Sequence, residues 1–267
     1  NDASVAMAEF IAGDEQAFAD SMNQMAQKLG MTRTHFKNAT GLPDEGHYTT
    51  AKDLSILARA LIRDFPEHYK VYKEKYFSYN DIRQANRNSL LWRDDAVDGM
   101  KTGHTQAAGF CLVASAEKKD MRLVSVVMGA TSERSRSTES QKLINYGFRY
   151  FESVKLYDGL ESLRRVKVWG GLHESLDVGI EAPARLTIPT GARGALAAEV
   201  TLDPVIKAPV SQGQTLGLLR ISLEGETLLE RPVVALNGVD EAGLVSSLID
   251  EVSLFFLSLF SGDPLAL

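Results

Sequence analysis

The chain has 267 residues, of which 44% are hydrophobic and 24% charged, and its net charge is −6. This composition is typical of a folded soluble protein with one large domain or two ordinary ones. Acidic and basic residues are interleaved without a basic run, so we do not expect nucleic acid as a partner. The single cysteine, Cys111, lies in an apolar strand pattern and is interpreted as a core residue. The five histidines are scattered, and we predict neither a metal site nor a cofactor.

Two helices are predicted at the start of the chain. Residues 1–12 begin polar and become apolar, which predicts the start of a buried helix. Gly13 and Asp14 then break this helix and cap a second one. The second helix is predicted over residues 15–29, where apolar residues keep helical spacing until Gly30 ends the run.

A long loop and a third helix follow. Residues 31–49 are rich in Thr, Asn, Gly, Pro and Asp, which predicts a loop. Thr50 and Asp53 resemble a capping box with Asp in place of Glu, and the helix that they begin is closed by Pro66. The aromatic and basic stretch 69–79 is predicted to be extended near its end and half-buried.

The most specific signals lie in residues 86–129. Lys101–Gly103 form a K-T-G sequence, in which a charge, a hydroxyl and a bare backbone can hold a carboxylate-bearing substrate along a strand edge. Residues 110–116 and 121–129 are β-rich runs joined by E-K-K-D, which predicts a hairpin. We expect K-T-G at the leading end of the first of these strands. Taken alone, K-T-G is equally compatible with an ordinary turn that enters a strand.

The character of the sequence changes after residue 152. A helix is predicted over residues 131–151, and the first domain is placed at 1–152. Short β-like runs separated by Gly, Pro, Asp and Asn then predict a small all-β domain at 163–238, a sandwich or a barrel.

An amphipathic helix is predicted at 242–260. Charged residues interrupt its apolar run, so the helix is too short and too polar to span a bilayer. Its apolar face could instead lie in a membrane interface. A terminal helix docked on the β domain, or an oligomer contact, remains an alternative.

Several of these segments together resemble one protein family. The run NRNSLLW…VDGMKTGHTQAAGF, the hairpin and the helix end INYGFRYF closely resemble the low-molecular-mass penicillin-binding proteins, which are D-alanyl-D-alanine carboxypeptidases of the penicillin-binding protein 5 type. The resemblance covers nearly the whole chain. It implies an α+β serine-transferase domain of the penicillin-binding or β-lactamase-like fold, helical with a five-stranded antiparallel sheet. A small β-sandwich domain and a C-terminal amphipathic membrane-anchor helix would follow.

The same resemblance implies an activity and a place of action. Enzymes of this family remove the terminal D-alanine of peptidoglycan stem peptides through an acyl-enzyme and are acylated by β-lactams. The expected location is the periplasm, with peripheral attachment to the outer face of the inner (cytoplasmic) membrane through the C-terminal helix.

Three motifs carry the family's chemistry, S-x-x-K, S-x-N and K-T-G, and only the third is complete here. Asn1-Asp2-Ala3 resembles the tail of S-G-N-D-A, so Asn1 matches the asparagine of S-x-N. We therefore expect the nucleophilic serine and its lysine in an N-terminal segment upstream of Asn1. Ser115 and Lys118 have the spacing of S-x-x-K, but they end a strand instead of starting a helix, and we reject Ser115 as nucleophile.

The resemblance implies catalytic roles for three residues. Lys101 would set the electrostatics of the site and assist proton transfer. The backbone N–H of His104 would be one donor of the oxyanion hole, and Asn1 would hold the peptide amide of the substrate. Lys101 as a solvated strand-end lysine is the plain structural alternative.

Four further residues are implied to bind the substrate. Thr102 and Thr105 would bond its terminal carboxylate, Gly103 would let its backbone approach, and Arg87 would support the carboxylate site. Arg87 could instead only brace the turn in which it lies.

Two other functions remain open from the sequence. One is a non-catalytic peptidoglycan-binding or scaffolding protein that retains the site. The other is a D,D-endopeptidase or a β-lactamase on the same fold, although the β domain and the tail argue against a soluble β-lactamase.

Overall fold

The computed structural model describes residues 1–243, and the chain divides into two compact units. The first unit is Asn1–Tyr150, and the second begins at Phe151. The helix predicted at 242–260 lies, from residue 244 onward, outside the described residues. Within residues 1–243 no helix is long and apolar enough to cross a membrane.

The first unit begins with helices α1 (Asp2–Ala12) and α2 (Glu15–Leu29). As predicted, Asp14 caps α2, because its carboxylate accepts a hydrogen bond of 2.7 Å from the backbone N–H of Ala17. Gly30 ends α2 in the left-handed conformation, which a residue without Cβ adopts at little cost.

The predicted burial of α1 is wrong. Only Ala8 of this helix is buried, whereas Met7, Phe10 and Ile11 are exposed, Phe10 to 84%. The apolar pattern correctly predicts a helix, but within the described residues no neighbouring element covers the side chains of Met7, Phe10 and Ile11.

Helix α3 (Ala51–Asp64) is capped by Thr50, whose hydroxyl accepts a hydrogen bond of 3.1 Å from the N–H of Asp53. The Asp53 carboxylate does not complete the capping box. It accepts hydrogen bonds from the N–H of Arg33 (2.8 Å) and the hydroxyl of Thr34 (2.7 Å) and so ties the preceding loop to α3.

A short helix and a small hairpin connect α3 to the central sheet. Helix α4 (Pro66–Tyr69) and a 3₁₀ turn lead into strands β1 (Tyr76–Tyr79) and β2 (Ile82–Ala85), which pair antiparallel and are exposed along their length. A second 3₁₀ turn, Ser89–Trp92, then buries Leu90 and Leu91 beneath the sheet.

The central sheet contains the strands β3 (Val97–Thr105), β4 (Gly109–Lys118) and β5 (Met121–Ala130), antiparallel in the order β3-β4-β5. The predicted hairpin is observed as β4 and β5. K-T-G does not lie at the leading end of β4, as expected, but in the separate strand β3, where Lys101 pairs with Val113. The described residues thus supply three strands of this sheet, where the family resemblance implied five.

Helices cover both faces of the central sheet. On one face, Leu112, Ala114 and Ala116 of β4 pack against Ile144 of helix α5 (Glu133–Tyr150). On the other, Met100 of β3 packs with Ala58 of α3 and Tyr69 of α4, and Val113 packs against this cluster. The alternation of side chains along β4 therefore fixes the face on which each helix lies.

The second unit is built from strands alone apart from one 3₁₀ turn, within the part of the chain that the structure describes. Its first strand, β6 (Phe151–Tyr157), was not predicted, so β structure starts before residue 163. The strands that follow are β7 (Arg164–Lys167), β8 (Ser175–Gly179), β9 (Ala184–Pro189), β10 (Leu196–Leu202), β11 (Thr215–Leu223) and β12 (Glu226–Ala235). Together with β6 they form a two-stranded sheet (β6-β9) and a five-stranded sheet (β10-β11-β12-β8-β7), which share one core.

Candidate active site

Strand β3 forms one edge of the described central sheet and carries five of the predicted site residues, Lys101 to Thr105. Their pairing with β4 fixes their positions, since Gly103 lies opposite Cys111 and His104 opposite Phe110. The His104 ring stacks on Phe110 at a centroid distance of 3.9 Å. At the end of the strand, the Thr105 hydroxyl accepts a hydrogen bond of 3.0 Å from the N–H of Ala108, which closes the turn into β4.

All the predicted site residues line one pocket of about 690 Å³ in the first unit. They come from three separate segments, namely Asn1 before α1, Arg87 after β2, and Lys101–Thr105 on β3. Pockets that bind small ligands or peptide ends commonly have volumes of roughly 300–1,000 Å³. The seven residues therefore lie together at a cavity of suitable size, although they are distant in the sequence.

The pocket concentrates positive charge. The side chain of Lys101 remains open to solvent, but the surrounding protein removes part of its hydration. This desolvation lowers the pKa of Lys101, and the nearby guanidinium groups of Arg87 and Arg136 lower it further. The Lys101 ammonium also donates a hydrogen bond to the backbone carbonyl of Thr102. The exposed cationic side chains of Lys101 and Arg87 favour an anionic ligand at this pocket, and the lowered pKa of Lys101 eases the loss of its proton.

Arg87 is placed by its neighbour Asn88, which is buried. The Asn88 amide donates a hydrogen bond of 2.9 Å to the carbonyl of Gly99 on β3, and its carbonyl oxygen accepts one of 3.2 Å from the N–H of Leu90. The chain next to Arg87 is thus fastened directly to the strand that carries Lys101.

The loop at residues 31–49 contributes a rim of the pocket through Thr40, Gly41 and Leu42. Asn38 shapes this rim, because its side-chain oxygen accepts hydrogen bonds from the N–H of Thr40 (3.2 Å) and the N–H of Gly41 (2.8 Å). Its amide donates back to the carbonyl of Leu42 at 3.0 Å. Such local side-chain bonds hold a loop without regular structure in one conformation.

Sequence reasoning missed part of the pocket wall. Arg136 and Phe110 line it, and so do the apolar residues of α3, Leu54, Leu57, Ala58 and Leu61. The apolar residues of α3 have the spacing of a helix face, which does not by itself indicate a pocket wall, and Arg136 lies in a polar helical run. Its proximity to β3 is set by the fold and has no signal in the local sequence.

No serine is among the described residues that line the pocket. Ser115, whose spacing to Lys118 imitates S-x-x-K, is fully buried inside β4. Its hydroxyl accepts a hydrogen bond of 2.7 Å from Arg122, which also pairs with Asp98 at 2.7 Å. Ser115 is therefore held by a partly buried ion pair and does not line the pocket.

Two family matches cover most of the chain. Residues 1–132 match the D-alanyl-D-alanine carboxypeptidase family, and residues 151–241 match the C-terminal domain of penicillin-binding protein 5. The chain is 42% identical over 258 residues to the D-alanyl-D-alanine carboxypeptidase DacC of Escherichia coli strain K12, covering 96% of this chain and 64% of that protein. It is 40% identical over 264 residues to DacA of Haemophilus influenzae, covering 98% of this chain and 67% of that protein.

The fold has a match among solved structures as well. Penicillin-binding protein 5 from Haemophilus influenzae superimposes with a TM-score of 0.81 at 40% identity, over 90% of this chain and 71% of that one. The chain spans only about two thirds of the length of the curated relatives that it matches, 64% for DacC.

Proposed function

Because this chain belongs to the D-alanyl-D-alanine carboxypeptidase family and has the C-terminal domain of penicillin-binding protein 5, we propose that the complete protein is a serine-type D-Ala-D-Ala carboxypeptidase. It removes the terminal D-alanine from peptidoglycan stem peptides through an acyl-enzyme and is acylated by β-lactams. One observation carries the proposal, namely that Asn1, Arg87 and the strand segment Lys101–Thr105 line the same pocket.

The charge of the pocket supports a substrate that ends in a carboxylate. Thr102 and Thr105 supply hydroxyls on β3, and Arg87 supplies a planar guanidinium suited to bidentate contact with a carboxylate. Gly103 has no side chain, and a Cβ built there would meet only Cys111 at 3.9 Å, so the backbone of a bound peptide can lie close to the strand. Asn1 is proposed to hold the peptide amide of the substrate.

The proposed chemistry is an acyl transfer in two steps. A serine hydroxyl adds to the carbonyl carbon of the penultimate D-alanine, and its proton passes by way of a lysine to the amine of the leaving D-alanine. Water then hydrolyses the ester and restores the serine. The lowered pKa of Lys101 suits a residue that assists proton transfer. The N–H of His104 is proposed to stabilise the oxyanion, a contribution worth about 3–4 kcal/mol in the barrier.

The nucleophile is proposed to come from an N-terminal segment upstream of Asn1. Two observations support this. No serine is among the described residues at the pocket, and about one third of the length of relatives such as DacC lies outside the part matched here, which is 64% of DacC. The apolar part of the pocket wall, which includes Leu54, Leu57 and Leu61 of α3, offers that segment a surface on which to pack. The 267-residue chain alone should then be catalytically inert.

The place of action is proposed to be the periplasm, at the outer face of the inner membrane. The family acts on peptidoglycan, and the sequence of residues 242–260 has an apolar face that could lie in the membrane interface. This segment lies mostly outside the described residues, so the membrane attachment is supported by its sequence alone.

The test uses the full-length protein, a synthetic pentapeptide that ends in D-Ala-D-Ala, and a fluorescent penicillin. Lys101→Ala is expected to reduce D-alanine release by at least about 100-fold and to slow acylation, since general acid–base groups typically contribute that much. Lys118→Ala, at the exposed far end of β4, is the matched control and should behave like the wild type. Wild-type rates in Lys101→Ala would remove K-T-G from the mechanism.

Three further measurements separate this function from its alternatives. The 267-residue chain alone should not be labelled covalently by the penicillin, and stoichiometric labelling would place the nucleophile within it. Release of D-alanine from the pentapeptide without cleavage of a cross-linked muropeptide would distinguish a carboxypeptidase from a D,D-endopeptidase. Rapid turnover of the penicillin would instead indicate a β-lactamase, and a full-length protein inactive in all three assays would be a scaffold.

A further inference from the structure

Arg136 is the buried cation of the first unit that the proposed reaction does not yet use. It lies in the first turns of α5 and is only 2% exposed. One guanidinium nitrogen donates a hydrogen bond of 3.1 Å to the carbonyl of Gly103, and the other donates one of 3.2 Å to Glu133. Its Nε is buried and has no hydrogen-bond partner among the described residues.

These contacts are a poor arrangement for stability alone. Burial of a charge costs free energy that a well-placed partner must offset, and the side chain of Glu133 is 71% exposed and highly solvated. The remaining strong contact of Arg136 is therefore the one to Gly103, on the strand that carries the site.

The carbonyl that Arg136 contacts belongs to the same peptide group as the N–H of His104. This peptide bond is trans, so its C=O and N–H point in opposite directions. A guanidinium on the oxygen of Gly103 thus fixes the direction of the His104 N–H. It also draws electron density from the amide, and hydrogen bonds that share a peptide group strengthen one another.

A second set of contacts links Arg136 to the side chain of His104. The Arg136 guanidinium lies 5.6 Å from the ring centroid of Phe110, and Phe110 stacks on the ring of His104 at 3.9 Å. Arg136 thereby reaches both the peptide group and, through Phe110, the ring of His104.

From this geometry we propose that Arg136 is a positioning residue for acyl transfer, which orients and polarises the Gly103–His104 peptide so that the His104 N–H can serve as an oxyanion donor. This inference deepens the proposed function and rests on it. Arg136 acts through the peptide group and not by touching the substrate, so its removal should slow the chemical step and leave the binding of the acyl donor unchanged.

The experiment measures acylation of the full-length protein by a fluorescent penicillin, with the limiting rate constant and the half-saturating concentration determined separately. Loss of a whole oxyanion donor typically costs about 10²–10³ in rate, so misorientation of one donor in Arg136→Gln should cost about 10- to 100-fold in the limiting rate constant. The half-saturating concentration should stay the same. Arg136→Met, which buries no charge, should show the same loss, and it decides the question if Arg136→Gln fails to fold.

Two controls sharpen the result. Arg134→Gln removes an exposed arginine two residues away on the same helix and should leave both parameters within about twofold, as surface substitutions commonly do. Arg136→Lys keeps an ammonium that can bond the Gly103 carbonyl and should recover part of the rate lost in Arg136→Gln. A purely structural role would not produce this rescue at equal melting temperatures.

Four results would overturn the inference. The first is a wild-type acylation rate in the folded Arg136→Gln or Arg136→Met variant, and the second is a change in the half-saturating concentration alone. The third is an equal loss of rate in Arg134→Gln, and the fourth is a loss of rate in the Arg136 variants that disappears at higher pH. The second would make Arg136 a substrate ligand, and the fourth would mean that it acts through the protonation of Lys101. If the wild type releases D-alanine and the Arg136 variants are acylated at the wild-type rate, only the inference about Arg136 fails. If the wild type is neither acylated nor active, the proposed function fails as well.

Discussion

Replacement of Asn88 by Ala tests how the two walls of the pocket are joined. Asn88 is 1% exposed and follows Arg87 directly in the chain. Its amide donates to the Gly99 carbonyl on β3 at 2.9 Å, and its oxygen caps the turn that begins at Ser89 by accepting from Leu90 at 3.2 Å. Asn88→Ala removes both bonds and supplies no replacement.

The magnitude follows from what the substitution leaves behind. The Gly99 carbonyl and the Leu90 N–H lie inside the protein, and each buried polar group that loses its partner costs about 1–3 kcal/mol. The two groups together predict a loss of about 2–6 kcal/mol in the free energy of unfolding of the first unit.

The assay is urea unfolding of the full-length protein, followed by tryptophan fluorescence. The 267-residue chain has two tryptophans, Trp92 in the first unit and Trp169 in the second, so a Trp169→Phe background lets Trp92 report on the first unit within this chain. Asn145→Ala, at an exposed position on α5, is the control and should change stability by less than about 0.5 kcal/mol. A loss below about 1 kcal/mol in Asn88→Ala, or one equal to that of the control, would refute the reasoning.

Two further predictions concern packing and pH. In β11, a Cβ added at Gly217 would lie 2.2 Å from the backbone oxygen of Thr201, so Gly217→Ala should destabilise the second unit by about 2–3 kcal/mol or more in thermal unfolding. Gly194→Ala meets nothing within 4 Å and should be neutral, and equal melting temperatures for the two variants would contradict the prediction. The hydrogen bond from Thr34 lowers the pKa of Asp53 from its ordinary 3.8, so the stability that this carboxylate provides is present above that value and is lost as the pH falls through the lower folded pKa. The stability difference between the wild type and Asp53→Asn, measured by urea unfolding, should therefore be constant above about pH 5 and narrow as the pH falls below about 4, and a difference that stays constant throughout this range would refute the prediction.

Where local chemistry decides the structure, the sequence was a good guide. The cap of α2 by Asp14 and that of α3 by Thr50 follow from side chains that bond backbone N–H groups one turn on. The β4–β5 hairpin follows from two β-rich runs separated by a turn, in which Lys119 and Asp120 adopt positive φ angles. A similar turn, Asn80-Asp81, also has positive φ angles and joins β1 to β2, but the short exposed strands beside it gave no alternation to support a hairpin.

Where distant parts of the chain decide the structure, the sequence was silent. The two β-rich runs predict K-T-G at the leading end of β4, whereas pairing with β4 makes K-T-G part of the separate strand β3. Arg136 sits in the polar run ERSRSTES, which predicts an exposed helix, and only the packing of α5 beside β3 buries it. Strand β6 owes its structure to β9, more than 25 residues later in the chain.

The outward-facing apolar side chains of α1 have a consequence for the colloidal behaviour of this chain as a separate polypeptide. Met7, Phe10 and Ile11 together give the helix a water-exposed surface that attracts similar surfaces on other copies. Against this attraction stands the repulsion that arises from a net charge of −6. Salt shortens the range of that repulsion to about 8 Å at physiological ionic strength but hardly affects apolar attraction. The solubility of the separate chain therefore depends on electrostatic repulsion between its copies, and added salt should lower this solubility.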